Sequence, residues 1–528
     1  MQGTEGPDRE LLDALGLCGA LVREGSVCRF LAGNRLRLFP DEMFGDLFGP
    51  LGRPSQPASV VAAVLVLQAL EGCSDREAAE RLRCDVRWKA AAGLAVDDEG
   101  FHCSVLSLCR SRLRAGARPE RIFDAVRELA AECGALSRSR RRALGSTVLD
   151  DAVAAQDTVT VVSSQIRRVR RLVGAAAALE LAHDYDGRAK PACDWSDADE
   201  RAWLVDDLVT DALAVLDAVE GLDLTDDQAE AAGLLGVVAG QDVEADPKVP
   251  GRWRIARRVA PGRVVSTVDP EARHAHKTRS QHRDGYKAHI VAEPDTGIVT
   301  AVELTAADAS DAEDGARLLD SDPTCHTGGG GHTDPTCHTD GGGDGGWLVS
   351  ADSAYASGEA LESFTDAGWD TAIKPIERGP HIAGGFTRDD FAIDADAQTV
   401  TCPAGHTKAV TSGAARFGKL CAACPLRARC TTSPRGRSVT VDAHEPHRQA
   451  NKARWRRPAT KAAYRRHRPM AERPIAWLTR AKARRVPYRG VAANNLRLTH
   501  RAAAVNLVRL ANLGAAHNGD RFALPVAA

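Results

Sequence analysis

The 528-residue sequence contains no hydrophobic run that is long enough to cross a membrane. Its longest apolar run, residues 60–70, is interrupted by Gln68, whereas a membrane-spanning helix needs about 20 predominantly apolar residues. The first eight residues are polar and acidic, and they lack the basic and apolar regions of a secretory signal peptide. We therefore expect a cytoplasmic protein with no membrane partner.

A large net charge is also absent, because 69 basic and 71 acidic residues leave a net charge of -2. The two signs are nevertheless separated along the chain. Residues 184–246 contain 18 acidic and three basic residues, whereas residues 448–501 contain 17 basic residues and one acid, Glu472. We interpret the first segment as a solvated acidic face. The second is either a solvated helix face or a surface that neutralises the phosphates of a polyanion.

The 14 cysteines of a cytoplasmic chain are not expected to form disulfide bonds, so clustered cysteines indicate metal. Cys402, Cys421, Cys424 and Cys430 have the number and spacing for a structural Zn²⁺ site, with His406 as an alternate ligand. The alternative is a group of reduced cysteines, or a site that has lost its metal.

A low-complexity segment, residues 321–346, contains Asp-Pro-Thr-Cys-His-Thr twice, beginning at Asp322 and at Asp334. The two copies supply four residues of metal-binding type: Cys325, His326, Cys337 and His338. We favour a flexible surface insertion over a metal site for this repeat.

Local signals predict several helices and strands. Residues 60–70 should form a buried helix ending at Gly72, and Ser74 with Glu77 is a capping box that begins the next helix. The pair resembles a helix-turn-helix unit, although most such pairs are plain packing units. Ser196 is the expected N-cap of a later helix.

The β-rich signals lie further along the chain. Residues 143–148, 264–268 and 347–351 are strand candidates, and the turn sequence 293–297 between two apolar runs predicts a hairpin. Asp352 follows the last of these strands, where open α/β sheets place reactive side chains. The mixture of signals predicts an α/β or α+β core.

Two charged features fit contact with a polyanion. Glu472, alone among basic residues, suits a divalent cation held beside a phosphate backbone, and a salt bridge with Arg468 or Arg473 is the alternative. A basic stretch before the hairpin is either a solvated loop or a phosphate contact; it contains His274, His276, Lys277, Arg279, His282, Arg283 and Lys287.

The order of several motifs between about residues 26 and 514 resembles that of bacterial insertion-sequence transposases of the DDE class. The motifs are Leu65-Val66-Leu67-Gln68-Ala69-Leu70, Ser74-Asp75-Arg76-Glu77, Arg87-Trp88-Lys89, Asp150-Asp151-Ala152-Val153, Gln156-Asp157-Thr158, Gly240-Gln241-Asp242, Ser266-Thr267-Val268-Asp269, Asp284-Gly285-Tyr286-Lys287, Ala351-Asp352-Ser353-Ala354-Tyr355, Arg468-Pro469-Met470-Ala471-Glu472, Tyr488-Arg489-Gly490 and Ala504-Val505-Asn506-Leu507.

The resemblance implies a mixed α/β protein with a helical N-terminal domain and a ribonuclease-H-like core. The expected divisions are a flexible N-terminus (1–25), the helical domain (26–135), the first core part with an acidic helical insertion (136–320), the loop (321–346), the second core part (347–514) with a zinc-ribbon-like cysteine insertion (395–442), and a tail (515–528).

The resemblance also implies the chemistry. Such transposases use two Asp and one Glu to bind two divalent ions, Mg²⁺ or Mn²⁺, for DNA cleavage and strand transfer. Asp352 matches the second acid and Glu472 the third. The implied partner is double-stranded DNA, both at the terminal inverted repeats of the element and at the target. The protein is expected to act in the bacterial nucleoid, as a homodimer or larger multimer. The expected DNA-binding residues are Lys287, Arg468, Arg473, Arg480 and Arg489.

The first acid is missing, because the expected Asp-Ser-Thr reads Gly145-Ser146-Thr147. Asp150 or Asp151 would have to act from a position displaced by more than about 10 Å along a strand. The leading hypothesis is therefore a transposase with impaired activity. The alternatives are a catalytically dead DNA-binding protein or repressor, and a zinc-dependent nuclease.

Overall fold

The computed structural model describes residues 1–3, 12–136, 140–187, 189–278, 281–326 and 347–525. A helical N-terminal region precedes a mixed β-sheet whose two faces are covered by different sets of helices. This arrangement agrees with the predicted mixed α/β fold and is consistent with a ribonuclease-H-like core.

The N-terminal region is helical: α1 Ala14–Cys18, α2 Val27–Leu38, α3 Ala58–Glu71, α4 Asp75–Cys84, α5 Val86–Ala92, α6 Ser104–Ala115 and α7 Arg121–Glu132. Every residue of α3 from Ala58 to Ala69 is buried, as its continuous apolar sequence predicts. The helix ends at Gly72, which has a φ of 68°, and the predicted capping box of Ser74 and Glu77 begins α4. The bend of 112° between α3 and α4 lies in the range of helix-turn-helix units.

The first core strand and an inserted subdomain follow: β1 Arg141–Asp150, α8 Thr158–Leu172, α9 Gly174–Ala177, α10 Ala198–Val219, α11 Asp226–Gln241, β2 Val243–Ala245 and β3 Trp253–Ile255. Helices α8, α10 and α11 pack around their own hydrophobic cluster, which includes Val162, Leu208 and Leu235. The acidic residues between 184 and 246 belong to this subdomain.

The remaining core elements are β4 Arg273–Thr278, β5 Gln281–Ala292, β6 Val299–Ala306, α12 Asp311–Asp320, α13 Pro323–His326, β7 Trp347–Ala351, α14 Gly358–Asp366 and β8 Trp369–Ile373. The sheet has the order β4-β5-β1-β7-β8, and β6 also pairs with β5. Strand β5 is antiparallel to β4, β6 and β1, whereas β7 is parallel to both β1 and β8.

The strand predictions have mixed outcomes. The strands at 143–148 and 347–351 and the hairpin of β5 and β6 are confirmed. The strand at 264–268 is wrong, because Val264 alone forms an isolated bridge, with Arg273. The N-cap of α10 is Asp197 rather than Ser196, since the Asp197 carboxylate accepts the first free amide hydrogens of that helix.

The cysteine-containing segment lies between β8 and the C-terminal helices. Its elements are β9 Ala392–Asp394, β10 Thr399–Thr401, β11 Thr407–Ala409, β12 Ala414–Arg416, α15 Arg427–Cys430 and β13 Ser438–Thr440. They form a three-stranded and a two-stranded sheet around a small apolar cluster that includes Phe391, Val400 and Phe417.

The C-terminal elements are α16 Glu445–Arg456, α17 Pro458–His467, α18 Pro469–Leu478, α19 Val491–Asn512, β14 Ala516–His517 and β15 Phe522–Ala523. Helix α19 covers the unpaired edge of β6. The Asn506 amide accepts from Val299 N–H at 2.8 Å and donates to the Val299 carbonyl at 2.7 Å, while Asn495 accepts from Leu304 N–H. These asparagine side chains make the hydrogen bonds that a further strand would otherwise make with the buried backbone of β6.

One hydrophobic core joins the N-terminal helices to the sheet. Leu65 of α3 and Phe123 of α7 belong to the same buried cluster as Ile290 of β5 and Leu507 of α19. The opposite sheet face packs separately against α12 and α14. Among the described residues, no single helix is long and apolar enough to cross a membrane, although the bent pair of α3 and α4 passes the same test of length and composition.

Candidate active site

The register of two parallel strands places Gly145 beside Asp352. Ala143 of β1 pairs with Ser350 of β7, so the same register continued by two residues sets Gly145 level with Asp352. Adjacent strands lie about 4.8 Å apart. Asp352 directly follows β7, and its Oδ1 accepts a hydrogen bond from Ala354 N–H at 2.9 Å. The first and second acid positions of the predicted triad are therefore neighbours.

Helix α18 brings the third position to the same place. A Cβ added to Gly145 would lie 3.3 Å from the carbonyl oxygen of Ala471, the residue before Glu472, and 3.1 Å from Cδ1 of Ile475. Helix α18 thus packs closely over the bare backbone of Gly145. The side chains of Asp352 and Glu472 remain open to solvent, with 45% and 69% exposure.

Arg468 joins the two acids that are present. Its Nη2 atom lies 3.1 Å from Glu472 Oε1 and 3.6 Å from Asp352 Oδ2, and its side chain is mostly buried. The salt bridge between Arg468 and Glu472, weighed in the sequence as an alternative to a metal role, is therefore present. Because the same guanidinium also faces Asp352, it offsets part of the negative charge of the two carboxylates.

The acids present supply only part of the ligand set that two divalent ions would need. Two metal ions need several oxygen ligands, yet the first-acid position has no side chain and the other two face a guanidinium. Throughout the described part of the chain, no group of three or more His, Cys, Asp or Glu residues has an arrangement that could hold a metal ion.

The two proposed substitutes for the first acid do not join this group. Asp150 lies five residues beyond Gly145, about 17 Å along the strand and on the opposite face of the sheet. Its carboxylate pairs with Arg283 at 2.7 Å. Asp151 is buried, where desolvation raises its pKa, and it accepts a hydrogen bond from Val153 N–H.

The five predicted DNA-binding residues have different surroundings. Arg473, Arg480 and Arg489 are exposed; Arg473 adjoins Glu472 on α18, and the other two lie in the loop after that helix. Arg468 lies between the acids. Lys287 is mostly buried, donates to the carbonyl oxygen of Ala309 and faces Asp311, so its ammonium group already has partners within the protein.

The basic stretch before the hairpin is partly neutralised by nearby carboxylates. His274 Nδ1 lies 2.6 Å from Asp284 Oδ1, and Arg283 pairs with Asp150. These ion pairs favour a structural role for His274 and Arg283. Arg279 lies outside the described residues, and contact of this stretch with phosphate stays a prediction.

The four clustered cysteines surround one cavity, as their spacing suggested. Cys402, Cys421, Cys424 and Cys430 line it together with His406 and several apolar side chains. Burial raises the pKa of the Cys430 thiol, and the other three thiols act in the same direction. Cys421 Sγ accepts a hydrogen bond from Arg437 N–H. The thiols are thus close together, without the geometry of a completed metal site.

Two further features concern the segments around Asp352. Cys325 is buried at the end of α13, and Cys337 and His338 of the second repeat lie outside the described residues.

Sequence reasoning assigned no role to Tyr355, which is fully buried against α12. A Cβ at Gly315 would lie 2.4 Å from its ring, so glycine is required there. Tyr355 anchors the turn that carries Asp352, three residues before it.

Comparison with known protein families identifies two regions of the chain. The family described as Transposase domain (DUF772) matches residues 32–112, and the family described as Transposase DDE domain matches residues 258–507. No curated protein and no solved structure shows significant similarity to the chain. Asp352 and Glu472 lie inside the second match, whereas Gly145 precedes it. The order of the two families, with the arrangement of the core, shows that the chain belongs to the DDE-class insertion-sequence transposases, with an N-terminal transposase domain followed by a DDE domain.

Proposed function

We propose that this chain is an insertion-sequence transposase by descent and architecture whose DNA cleavage and strand transfer are impaired by Gly145. The supporting observation is that Gly145 lies level with Asp352 and against the helix that carries Glu472. Two positions of a catalytic triad keep their acids, and the third has none. Transposases of this family act on DNA and generally use Mg²⁺ or Mn²⁺.

The proposed substrate is double-stranded DNA at the terminal inverted repeats of the element, joined to target DNA by a dimer or larger assembly. Three exposed arginines at or after Glu472 in the chain support this substrate: Arg473, Arg480 and Arg489. Exposed cations on these elements suit contact with phosphates.

A second candidate function is DNA binding without catalysis, as a repressor of related elements. It is favoured by the same combination of a basic surface and a missing acid. The two candidates differ in residual cleavage, and they share an affinity for element ends that weakens steeply with salt.

We expect wild-type protein to bind a duplex carrying the terminal inverted repeat and to nick it at a very low, Mg²⁺-dependent rate. Single-residue losses at catalytic sites that act as a unit reduce rates by about 10⁴–10⁶-fold. Binding is measured by fluorescence anisotropy, and nicking by denaturing gel electrophoresis of end-labelled DNA.

Asp352→Asn is the matched control, because it removes a charge at nearly constant volume. Residual nicking that falls in this variant supports the impaired enzyme, and binding with no such nicking supports the repressor. Rapid nicking by the wild type that Asp352→Asn abolishes would disprove the impairment. Failure to bind DNA at low salt would rule out both candidates.

We also propose that the four thiols that line the cysteine cavity move closer together to bind a structural zinc ion, since they lie around one cavity without yet having a ligand arrangement. Protein purified without chelator is expected to contain about one zinc per chain, bound by four thiolates. The double variant Cys421→Ser and Cys424→Ser should lose it, whereas Cys84→Ser, at an exposed cysteine, should not. Elemental analysis measures both, and wild-type protein without zinc would show that the cysteines are simply reduced thiols.

A further inference from the structure

A second basic surface lies in a cleft between the N-terminal helices and the core, outside the group of catalytic acids. The α3–α4 turn forms one wall, the loop 481–488 forms another, and α19 contributes Arg497 and His500. The cleft has a volume of about 820 Å³ and is open to solvent. An open cleft can hold part of a ligand that extends beyond it.

Positive charge predominates in this cleft. Its cationic residues are Arg76, Arg81, Arg110, Lys482, Arg485 and Arg497, and its acids are Glu71, Asp75 and Glu77. Each acid already has a partner. Glu71 pairs with Arg81, Asp75 pairs with Arg110 at 2.5 Å, and Glu77 accepts from Ser74 N–H in the capping box.

Among the described residues, three cations have no hydrogen bond and no ion pair, although Lys482 lies near the Glu77 carboxylate. In the part of the chain that the structure describes, no hydrogen bond or ion pair involves the side chain of Arg76, Lys482 or Arg497. Arg497 is half-buried, and burial lowers its pKa; Tyr488 opposes this shift, and the neighbouring Arg110 adds to it. A partly desolvated guanidinium that faces a second cation is unfavourable unless an anion enters between them.

The loop that presents Lys482 has an uncommon backbone conformation. Ala481 and Lys482 have φ angles of 53° and 63°, in the left-handed region that costs about 1–3 kcal/mol for such residues. The loop also packs closely on the opposite wall, since a Cβ at Gly72 would lie 2.1 Å from the Ala481 carbonyl oxygen. Tertiary contact therefore holds Lys482 at the edge of the cleft.

The cleft is close enough to the acids for one DNA molecule to reach both. The loop directly follows α18, and the last residue of that helix, Leu478, is six positions beyond Glu472. At 1.5 Å per residue this is about 9 Å along the helix. Duplex DNA carries one charge per about 1.7 Å of its axis, so a single duplex presents phosphates across this distance.

We propose that the cleft lined by Arg76, Lys482 and Arg497 binds the phosphate backbone of the DNA, as a contact separate from Asp352 and Glu472. This inference rests on the proposed function only in requiring that the chain binds DNA. Phosphates lack sequence information, so the cleft strengthens binding to every duplex. It also links the N-terminal domain to the DDE domain through one ligand.

The test compares two cleft variants with a matched control on a terminal-repeat duplex and on an unrelated duplex. The first variant combines Lys482→Gln and Arg497→Met, and the second combines Arg76→Gln and Lys482→Gln, which changes exposed side chains alone. The control combines Arg435→Gln and Arg521→Gln, two exposed arginines that do not line the cleft. Melting temperatures verify that each protein is folded.

Each lost phosphate contact should reduce the slope of log Kobs against log salt by about 0.9, so each double variant should lose about 1.8. The loss should be equal on both duplexes, and the control should keep the wild-type slope. If both folded cleft variants keep the wild-type salt slope, the cleft does not bind phosphate, and the proposed function is unaffected. Absence of wild-type DNA binding would overturn both, and loss on the terminal-repeat duplex alone would replace backbone binding with sequence readout.

Discussion

Gly145→Asp is expected to raise the rate of Mg²⁺-dependent nicking at terminal inverted repeats by at least about 10²-fold, towards the 10⁴–10⁶-fold that such a group contributes elsewhere. The new carboxylate would stand level with Asp352 on the neighbouring strand and beside Ala471, next to Glu472. Three carboxylates would then face one region that now holds two acids and the Arg468 guanidinium.

The close packing of α18 should limit this gain. A Cβ at residue 145 would lie 3.1 Å from Ile475 Cδ1 and 3.3 Å from the Ala471 carbonyl oxygen, so a side chain must displace both by a few tenths of an ångström. Adding Ile475→Val removes the closest methyl group. The double variant should therefore exceed Gly145→Asp in rate, whereas Ile475→Val alone should match the wild type.

Gly145→Asn is the control for volume, because it has the size of aspartate without the charge. Single-turnover nicking of an end-labelled duplex compares all five proteins. Equal rates for the Asp and Asn variants would show that a carboxylate at this position has no effect. A wild type as fast as Gly145→Asp would show that Gly145 causes no impairment.

Arg501→Met is expected to lower the unfolding free energy by about 3–5 kcal/mol. Arg501 lies on α19 and is buried, and its guanidinium donates to five carbonyl oxygens, which belong to Ala69, Leu70, Trp477, Leu478 and Arg480. All five N–H donors of the group are thereby satisfied.

The position of these carbonyl groups explains the size of the effect. They belong to the last turns of α3 and α18 and to the residues just after α18, where helices leave carbonyl groups unpaired and carry partial negative charge. One cation therefore caps a helix of the N-terminal domain and a helix of the DDE domain. Burial and nearby arginines lower the Arg501 pKa to about 10, which still leaves the group charged at neutral pH.

Equilibrium denaturation followed by circular dichroism and by tryptophan fluorescence measures this loss. Arg501→Lys, with three donors in place of five, should fall between Arg501→Met and the wild type. Arg521→Met, at an exposed arginine, should change stability by less than about 0.5 kcal/mol. Wild-type stability in Arg501→Met would show that solvent or other groups satisfy the two helix ends.

Local chemistry was sufficient to predict several elements. The Ser74–Glu77 capping box, the strand that ends before Asp352 and the hairpin turn at 293–297 each depend on residues within a few positions of one another. In that turn the Glu293 carboxylate accepts from Asp295 N–H and Thr296 N–H, so the signal and its partners lie together. The strand at 264–268 failed because its apolar pattern does not reveal whether a neighbouring strand is available to pair with it.

The sequence by itself determined the family, and it predicted two catalytic acids and a glycine in place of the third, because these depend on residue type and order. Only the tertiary structure decided that Gly145, Asp352 and Glu472 come together, that Ile475 occupies the space above Gly145, and that Arg501 joins two domains. These relations connect residues tens to hundreds of positions apart through sheet register and helix packing. No local sequence pattern encodes these contacts. The sequence around each residue is compatible with its own helix or strand whichever distant residue that element packs against.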